Sequence, residues 1–257
     1  MIEIQGLSFS YGKKEFIKDL SLTFPDSSLT VIVGENGSGK TTLLSLMSRE
    51  LSAVSGTVRA DGADILSIKR EELARRLSVF PQGRETPDMT ALELVTMGRY
   101  PYIKNKLSTP KSDIEIALAS LSRVGAEDVA DRRLSCLSYG ERQRVYLAMQ
   151  IAQDTQNLLL DEVTNHLDTS ARFQAMELLT SLRNDGKCVV AVLHDITLAL
   201  TYADFIAVMK DGRLEAFDTP EAIYQSKCLE DVLGIKIGKY GDPDKPVYIA
   251  EPKKKIT

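Results

Sequence analysis

The chain reads as an α/β protein with a helical segment inserted into it, and three observations predict this. Short β-rich runs alternate with helical patterns along most of the 257 residues. One apolar strand runs straight into a glycine-rich turn that opens a helical pattern. Between Pro87 and Gln153 the β-rich runs stop and the sequence becomes mostly helical.

In chain order, Ile2, Ile4 and Phe9 lie on or near a short N-terminal β segment. Asp26-Ser27-Ser28 turns the chain into the apolar strand Leu29–Val33, and Leu43, Leu44, Met47 and Leu51 follow at helical spacing. Leu77–Phe80 is a further β-rich run. Thr90 and Glu93 are spaced as a capping box, and Ile114, Leu118 and Leu121 are expected to form one apolar stripe. Leu158–Leu160, Val189–Leu193 and Phe205–Met209 return to β character, and Asp211-Gly212 marks a hairpin turn. The end, Tyr240–Thr257, holds three prolines and Lys253-Lys254-Lys255, and predicts an extended edge followed by a solvated tail. These elements divide a single domain into an α/β core over 1–86 and 154–230, a helical subdomain over 87–153 and a C-terminal extension over 231–257.

Composition narrows the function. Hydrophobic residues make up 43% and charged residues 26%, which excludes wholesale disorder. No apolar run approaches the ~20 residues that span a bilayer. The scattered cysteines Cys136, Cys188 and Cys228 form no CxxC and point to a reducing cytoplasm. A net charge of −4 argues against a nucleic-acid partner.

The strongest chemical signal is Gly34-Glu35-Asn36-Gly37-Ser38-Gly39-Lys40-Thr41, with Thr42 beside it, which fits G-x-x-x-x-G-K-[ST] in the strand-then-helix context the motif demands. Glycines let backbone N–H groups curl around phosphate oxygens, and the helix N-terminus adds positive charge at the same point. Lys40 then reaches the β- and γ-phosphates of ATP, and the Thr41 hydroxyl is a ligand for Mg²⁺. Chance would produce the fixed positions on the order of once in a hundred such chains, so an ordinary turn is the weaker reading. The fold is thus a P-loop nucleoside-triphosphatase type.

Leu158-Leu159-Leu160-Asp161-Glu162 is a strand ending in two acids, which places carboxylates where ligands of α/β folds sit. Asp161 can hold Mg²⁺, and Glu162 can polarise the attacking water. Earlier in the chain, Ser138 and Glu141 fit a capping box within Leu137-Ser138-Tyr139-Gly140-Glu141-Arg142-Gln143-Arg144.

Taken with these two motifs, that last stretch resembles the LSGGQ signature of ABC ATPases. The resemblance covers roughly residues 1–230. It implies Tyr11 as the aromatic that stacks on adenine, Gln82 as a catalytic residue and Mg²⁺ ligand, and Asn165-His166-Leu167-Asp168 as a D-loop with Asp168 at the nucleotide. His194 falls at the position of the switch histidine. It also implies a RecA-like core with an N-terminal antiparallel β subdomain, and a head-to-tail dimer of two copies. In that dimer Ser138, Gly140 and Glu141 of one copy face the ATP held by the other. Three departures stand out: Tyr139 replaces a glycine, Glu141 replaces a glutamine and places a carboxylate near an anionic ligand, and Val163 stands where a proline is common.

Glu93–Tyr102 and Val190–Asp195 are similar to segments in ATPases of ferric-siderophore, haem and cobalamin importers. That likeness implies two transmembrane permease subunits as partners, an extracytoplasmic substrate-binding protein acting indirectly, and a peripheral location on the cytoplasmic side of the membrane. The alternative is a soluble regulatory or repair ATPase, or a transporter ATPase for an unrelated substrate. The compact insert between Gln82 and Leu137 lacks the long coiled coils of the chromosome-maintenance relatives.

Overall fold

The computed structural model describes residues 1–80, 86–103, 109–165, 167–242 and 245–253. The chain begins with β1 (Ile2–Tyr11), β2 (Lys14–Phe24), β3 (Ser28–Gly34), α1 (Lys40–Met47), β4 (Ser55–Ala60), β5 (Ala63–Asp64), α2 (Arg70–Arg76) and β6 (Leu77–Val79). The helices α3 (Ala91–Met97), α4 (Lys111–Arg123) and α5 (Tyr139–Gln153) follow. The α/β pattern then resumes with β7 (Asn157–Asp161), α6 (Thr169–Asn184), β8 (Cys188–Val192), α7 (Ile196–Tyr202), β9 (Phe205–Lys210) and β10 (Arg213–Asp218). Two short helices, α8 (Pro220–Ser226) and α9 (Cys228–Leu233), lead into a last hairpin, β11 (Ile235–Asp242) and β12 (Lys245–Pro252).

The central sheet has the order β10-β9-β3-β8-β7-β6 and is parallel except for β10. Its inner strands β3, β7 and β8 are buried nearly throughout, as expected when helices cover both faces. Alternate residues serve the two sides. Ile32, Leu159, Val190 and Val192 pack with Leu43 and Met47 of α1. Val31, Leu160, Val189 and Ala191 pack with Met176 and Leu179 of α6 and Leu198 of α7. A second, antiparallel sheet of order β2-β1-β4-β5 covers the α1 side.

Three features depart from the sequence reading. The N-terminal segment is a long hairpin strand, and register shifts lie between Ile4 and Leu7 and again before Phe9. The buried face changes from Ile2 and Ile4 to Leu7 and Phe9, so a fixed period of two fails across the whole strand. On α4, Leu118 is 43% exposed, and the buried face is Asp113, Ala117, Ser120 and Leu121. The helix is rotated to deliver Asp113 to Arg99. Nε of Arg99 lies 2.9 Å from Oδ1 of Asp113, Nη1 donates to the Ala152 carbonyl at 2.7 Å, and the guanidinium stands 4.3 Å from the Tyr102 ring. One arginine thereby ties α3, α4 and α5, which share a hydrophobic cluster of their own. Lastly, the extended edge expected from Tyr240 onward is present but is internally paired, since residues 240–242 belong to β11 and 245–252 to β12 of one hairpin. Tyr248 is buried against the α7 side of the core, and its carbonyl accepts from Thr197 of α7 at 2.9 Å. Residues 254–257 lie outside the described residues.

Candidate functional site

Because β3, β7 and β8 run parallel and in register, with Asp161 beside Val192 and Val192 beside Ile32, their carboxyl ends reach one edge of the sheet together. The P-loop leaves β3 at that edge, the two acids end β7, and His194 follows β8. Gly34 sits at φ 155°, and a Cβ there would meet the Met209 carbonyl at 2.2 Å. The loop can leave the sheet only because that residue has no side chain. Gly39 caps α1 at φ 105°, again in the left-handed half of the map. Glu35, Asn36 and Gly37 form the exposed crown of the loop, while Ser38, Lys40 and Thr42 are buried at its base. The β9–β10 turn braces it from behind, through Gly212 N–H to the Ser38 carbonyl at 3.0 Å.

Lys40 donates to the carbonyls of Gly34 and Glu35 at 2.8 and 2.9 Å. Burial depresses its pKa, partly offset by the nearby Glu162 and Asp161 carboxylates. Asp161 moves the other way, since burial raises its pKa against a hydrogen bond from Thr41 and the charge of Lys40. Its Oδ1 is buried without a partner, as is the Ser38 hydroxyl oxygen. An orphaned anionic oxygen beside a threonine hydroxyl is the hard-oxygen set that suits Mg²⁺.

Glu162 stands just past β7 at φ 53°. Its Oε1 lies 2.7 Å from Nε2 of His194, and its Oε2 accepts from Nδ2 of Asn165 at 2.6 Å. On sequence Asn165 is only a D-loop residue; a hydrogen-bonding side chain three residues from a key acid is the signal that finds it. Val163 is fully buried in the core cluster on the α6 face of the sheet, which anchors this loop where a proline was expected. Tyr11, at the end of β1, is 53% exposed, packs edge-on against Phe9 and Phe16, and has its hydroxyl 3.2 Å from that of Thr42 on α1.

The remaining predicted residues stand apart. Ser138 and Glu141 form a capping box at the start of α5. The Ser138 oxygen accepts from the Glu141 N–H, and its hydroxyl bonds the Glu141 carboxylate in return. The Glu141 carboxylate folds back onto the Ser138 N–H at 2.7 Å and onto Arg132 at 3.1 Å, the first contact contributing most to its lowered pKa. The anion expected near the ligand is therefore paired within the chain, by an arginine that the sequence reading missed. Among the described residues no hydrogen bond joins Ser138 or Gly140 to the P-loop. Asp168 caps α6, accepting from Ala171 N–H at 2.8 Å. Gln82 and His166 lie outside the described residues.

The ABC transporter family matches over residues 17–165. The petrobactin import ATP-binding protein FpuD of Bacillus anthracis is 36% identical over 244 residues, covering 94% of this chain and 89% of that protein. The ferric enterobactin transport ATP-binding protein FepC of Escherichia coli K12 is 36% identical over 241 residues, covering 93% and 89%. Among solved structures, the dimeric bacterial ABC transporter cassette MJ0796 superposes with a TM-score of 0.77 at 27% identity, over 86% of this chain and 99% of that one.

Proposed function

This chain belongs to the ABC transporter family as an ATP-binding, ATP-hydrolysing subunit, and from that premise we propose that it powers import of a ferric siderophore. The observation that carries the substrate class is the identity with the petrobactin and ferric enterobactin proteins, which runs over nearly the whole chain rather than the nucleotide motifs alone. Among the described residues no helix is long and apolar enough to cross a membrane. In keeping with its likeness to import ATP-binding proteins, the subunit works on membrane permease partners, docked peripherally on the cytoplasmic side, with an extracytoplasmic binding protein delivering the substrate. In this reading 1–86 and 154–230 form the nucleotide core, 87–153 the helical subdomain and 231–257 an extension.

The P-loop amides and Lys40 hold the phosphates of ATP. Thr41 and Asp161 would hold Mg²⁺, which when bound neutralises charge on the β- and γ-phosphates. Glu162 accepts a proton from the attacking water as the water oxygen bonds to the γ-phosphorus. The bond to the bridging oxygen breaks with its electron pair leaving on ADP, and the proton later passes to solvent. His194 orients Glu162 and the γ-phosphate. Ser138 and Gly140 of a second copy close over the same ATP, the α5 N-terminus facing the phosphate.

The substrate is tested in a strain lacking this gene. Uptake of labelled ferric siderophore should be lost and restored by the wild-type gene but not by Lys40→Ala, while haem and cobalamin uptake continue. Normal siderophore uptake with loss of haem or cobalamin uptake moves the assignment to that substrate. No defect in any arm ends the importer reading.

Adenine binding is tested separately. With its ring exposed, Tyr11 offers a stacking face, so Tyr11→Ala should raise KM for ATP by about 5- to 150-fold, the equivalent of the ~1–3 kcal/mol of a base–aromatic stack, with kcat little changed. Tyr11→Phe, which loses only the contact with Thr42, should stay near wild type. A drop in kcat at saturating ATP with KM intact excludes the stacking role.

A further inference from the structure

We infer that Asn165 is a positioning residue for the Glu162 carboxylate, an inference that rests on Glu162 being the general base. Glu162 sits at φ 53°, a conformation unfavourable for any residue with a side chain, so its surroundings must hold it there. Its N–H donates to the Val192 carbonyl at 3.2 Å, and its own carbonyl accepts from Asn165 N–H at 3.0 Å, which closes the turn from 162 to 165. Inside that turn Val163 and Thr164 are buried. Asn165 then uses its second donor on the same residue, with Nδ2 2.6 Å from Oε2 of Glu162.

The two oxygens of Glu162 are thus treated differently. Oε1 meets His194, which arrives on a separate strand and is about a third exposed, as is Glu162 itself. Oε2 meets a donor carried by the turn that Glu162 begins, so this bond persists when His194 turns toward a phosphate. An amide N–H can only donate and does not titrate near neutral pH. With Oε2 occupied by a donor, the proton taken from water goes to Oε1, on the His194 side. Asn165 therefore fixes which oxygen receives the proton and where that oxygen points.

The test uses the full chain and four variants. Asn165→Ala removes the donor. Asn165→Asp keeps the volume and the turn preference but replaces the donor with an acceptor of like charge to Glu162. If Asn165 serves only the turn, Asn165→Asp retains activity; if it positions the base, that variant is as impaired as Asn165→Ala or more so. We expect both to lower kcat by roughly tenfold or more, with KM for ATP within about twofold of wild type. In the Glu162→Gln background, Asn165→Ala should add no further loss, because the two substitutions remove one function. Wild-type kcat in Asn165→Asp, an effect on KM alone, or additive losses in the double variant would overturn the inference. Asn165→Asp keeps the question answerable where Asn165→Ala fails to fold. A wild-type rate in Glu162→Gln by itself would instead remove the base assignment on which the inference stands.

Discussion

Glu162→Gln should hydrolyse ATP about 10²–10⁴-fold more slowly than wild type, the usual contribution of a positioned general base. The amide keeps the length of the side chain and can still bond His194 and Asn165, so the loop retains its shape while the proton acceptor is lost. ATP binding rests on Lys40 and the P-loop and should be unchanged. The variant should therefore accumulate with ATP as a closed dimer, seen by size-exclusion chromatography with light scattering. Adding Ser138→Arg should abolish that dimer, since it removes the cap of α5 and puts bulk and a displaced Glu141 where the opposing phosphate must enter. The comparison that decides is between the single and double variants with ATP. Equal dimer in both excludes Ser138 from the composite site, and hydrolysis at the wild-type rate in the single variant excludes Glu162 as the base.

The second large effect is on stability. Arg99→Ala should cost about 3–5 kcal/mol, because it leaves Asp113 as an unpaired charge in a site where both side chains are only 11% exposed. The Ala152 carbonyl loses its donor as well. For a chain of this size that corresponds to a fall in Tm of roughly 6–20 °C, read by calorimetry or circular dichroism. Replacing both partners, Arg99→Met with Asp113→Leu, should recover most of the loss, since apolar groups of similar volume carry no desolvation penalty. A single variant within about 1 kcal/mol of wild type would show that water reaches and solvates the pair. The result also bears on the likeness over Glu93–Tyr102, because one residue of that segment is explained by packing among three helices rather than by the transported substrate.

The motifs were legible because phosphate chemistry fixes residue type and spacing together. Gly34 and Gly39 need their backbone conformations, Lys40 its reach, and Asp161 and Glu162 a strand that ends at the right sheet edge. Long-range pairing was not legible. Nothing near Asp113 in the sequence marks Arg99 as its partner, and an acid on the inward face of α4 reads as a reason to rotate the helix outward, which is how Leu118 came to be placed in the core. The shifts in β1 hid its length, since they break the alternation by which strands are recognised. Arg132 on Glu141 is a contact across the loop before α5, and the pairing of the final hairpin was obscured by prolines, of which β12 accommodates Pro246 and Pro252.

That hairpin bears on how the protein behaves at high concentration. The β11–β12 sheet has two strands, so among the described residues each has an outer edge with no ladder partner, and Tyr240, Val247 and Ile249 are exposed on it. Such an edge is a template for pairing with another chain. Lys236 is exposed on it, Lys239 is held in place by Glu221 at 2.7 Å, and Lys253 ends it beside Asp231. Charged lysines along this edge oppose intermolecular strand addition, and two backbone groups of the hairpin are already taken by side chains, the Ile237 N–H by Glu230 at 2.8 Å and the Tyr248 carbonyl by Thr197 at 2.9 Å. Replacing the lysines with neutral β-formers would leave the nucleotide site intact and turn the end of the chain into a seed for aggregation.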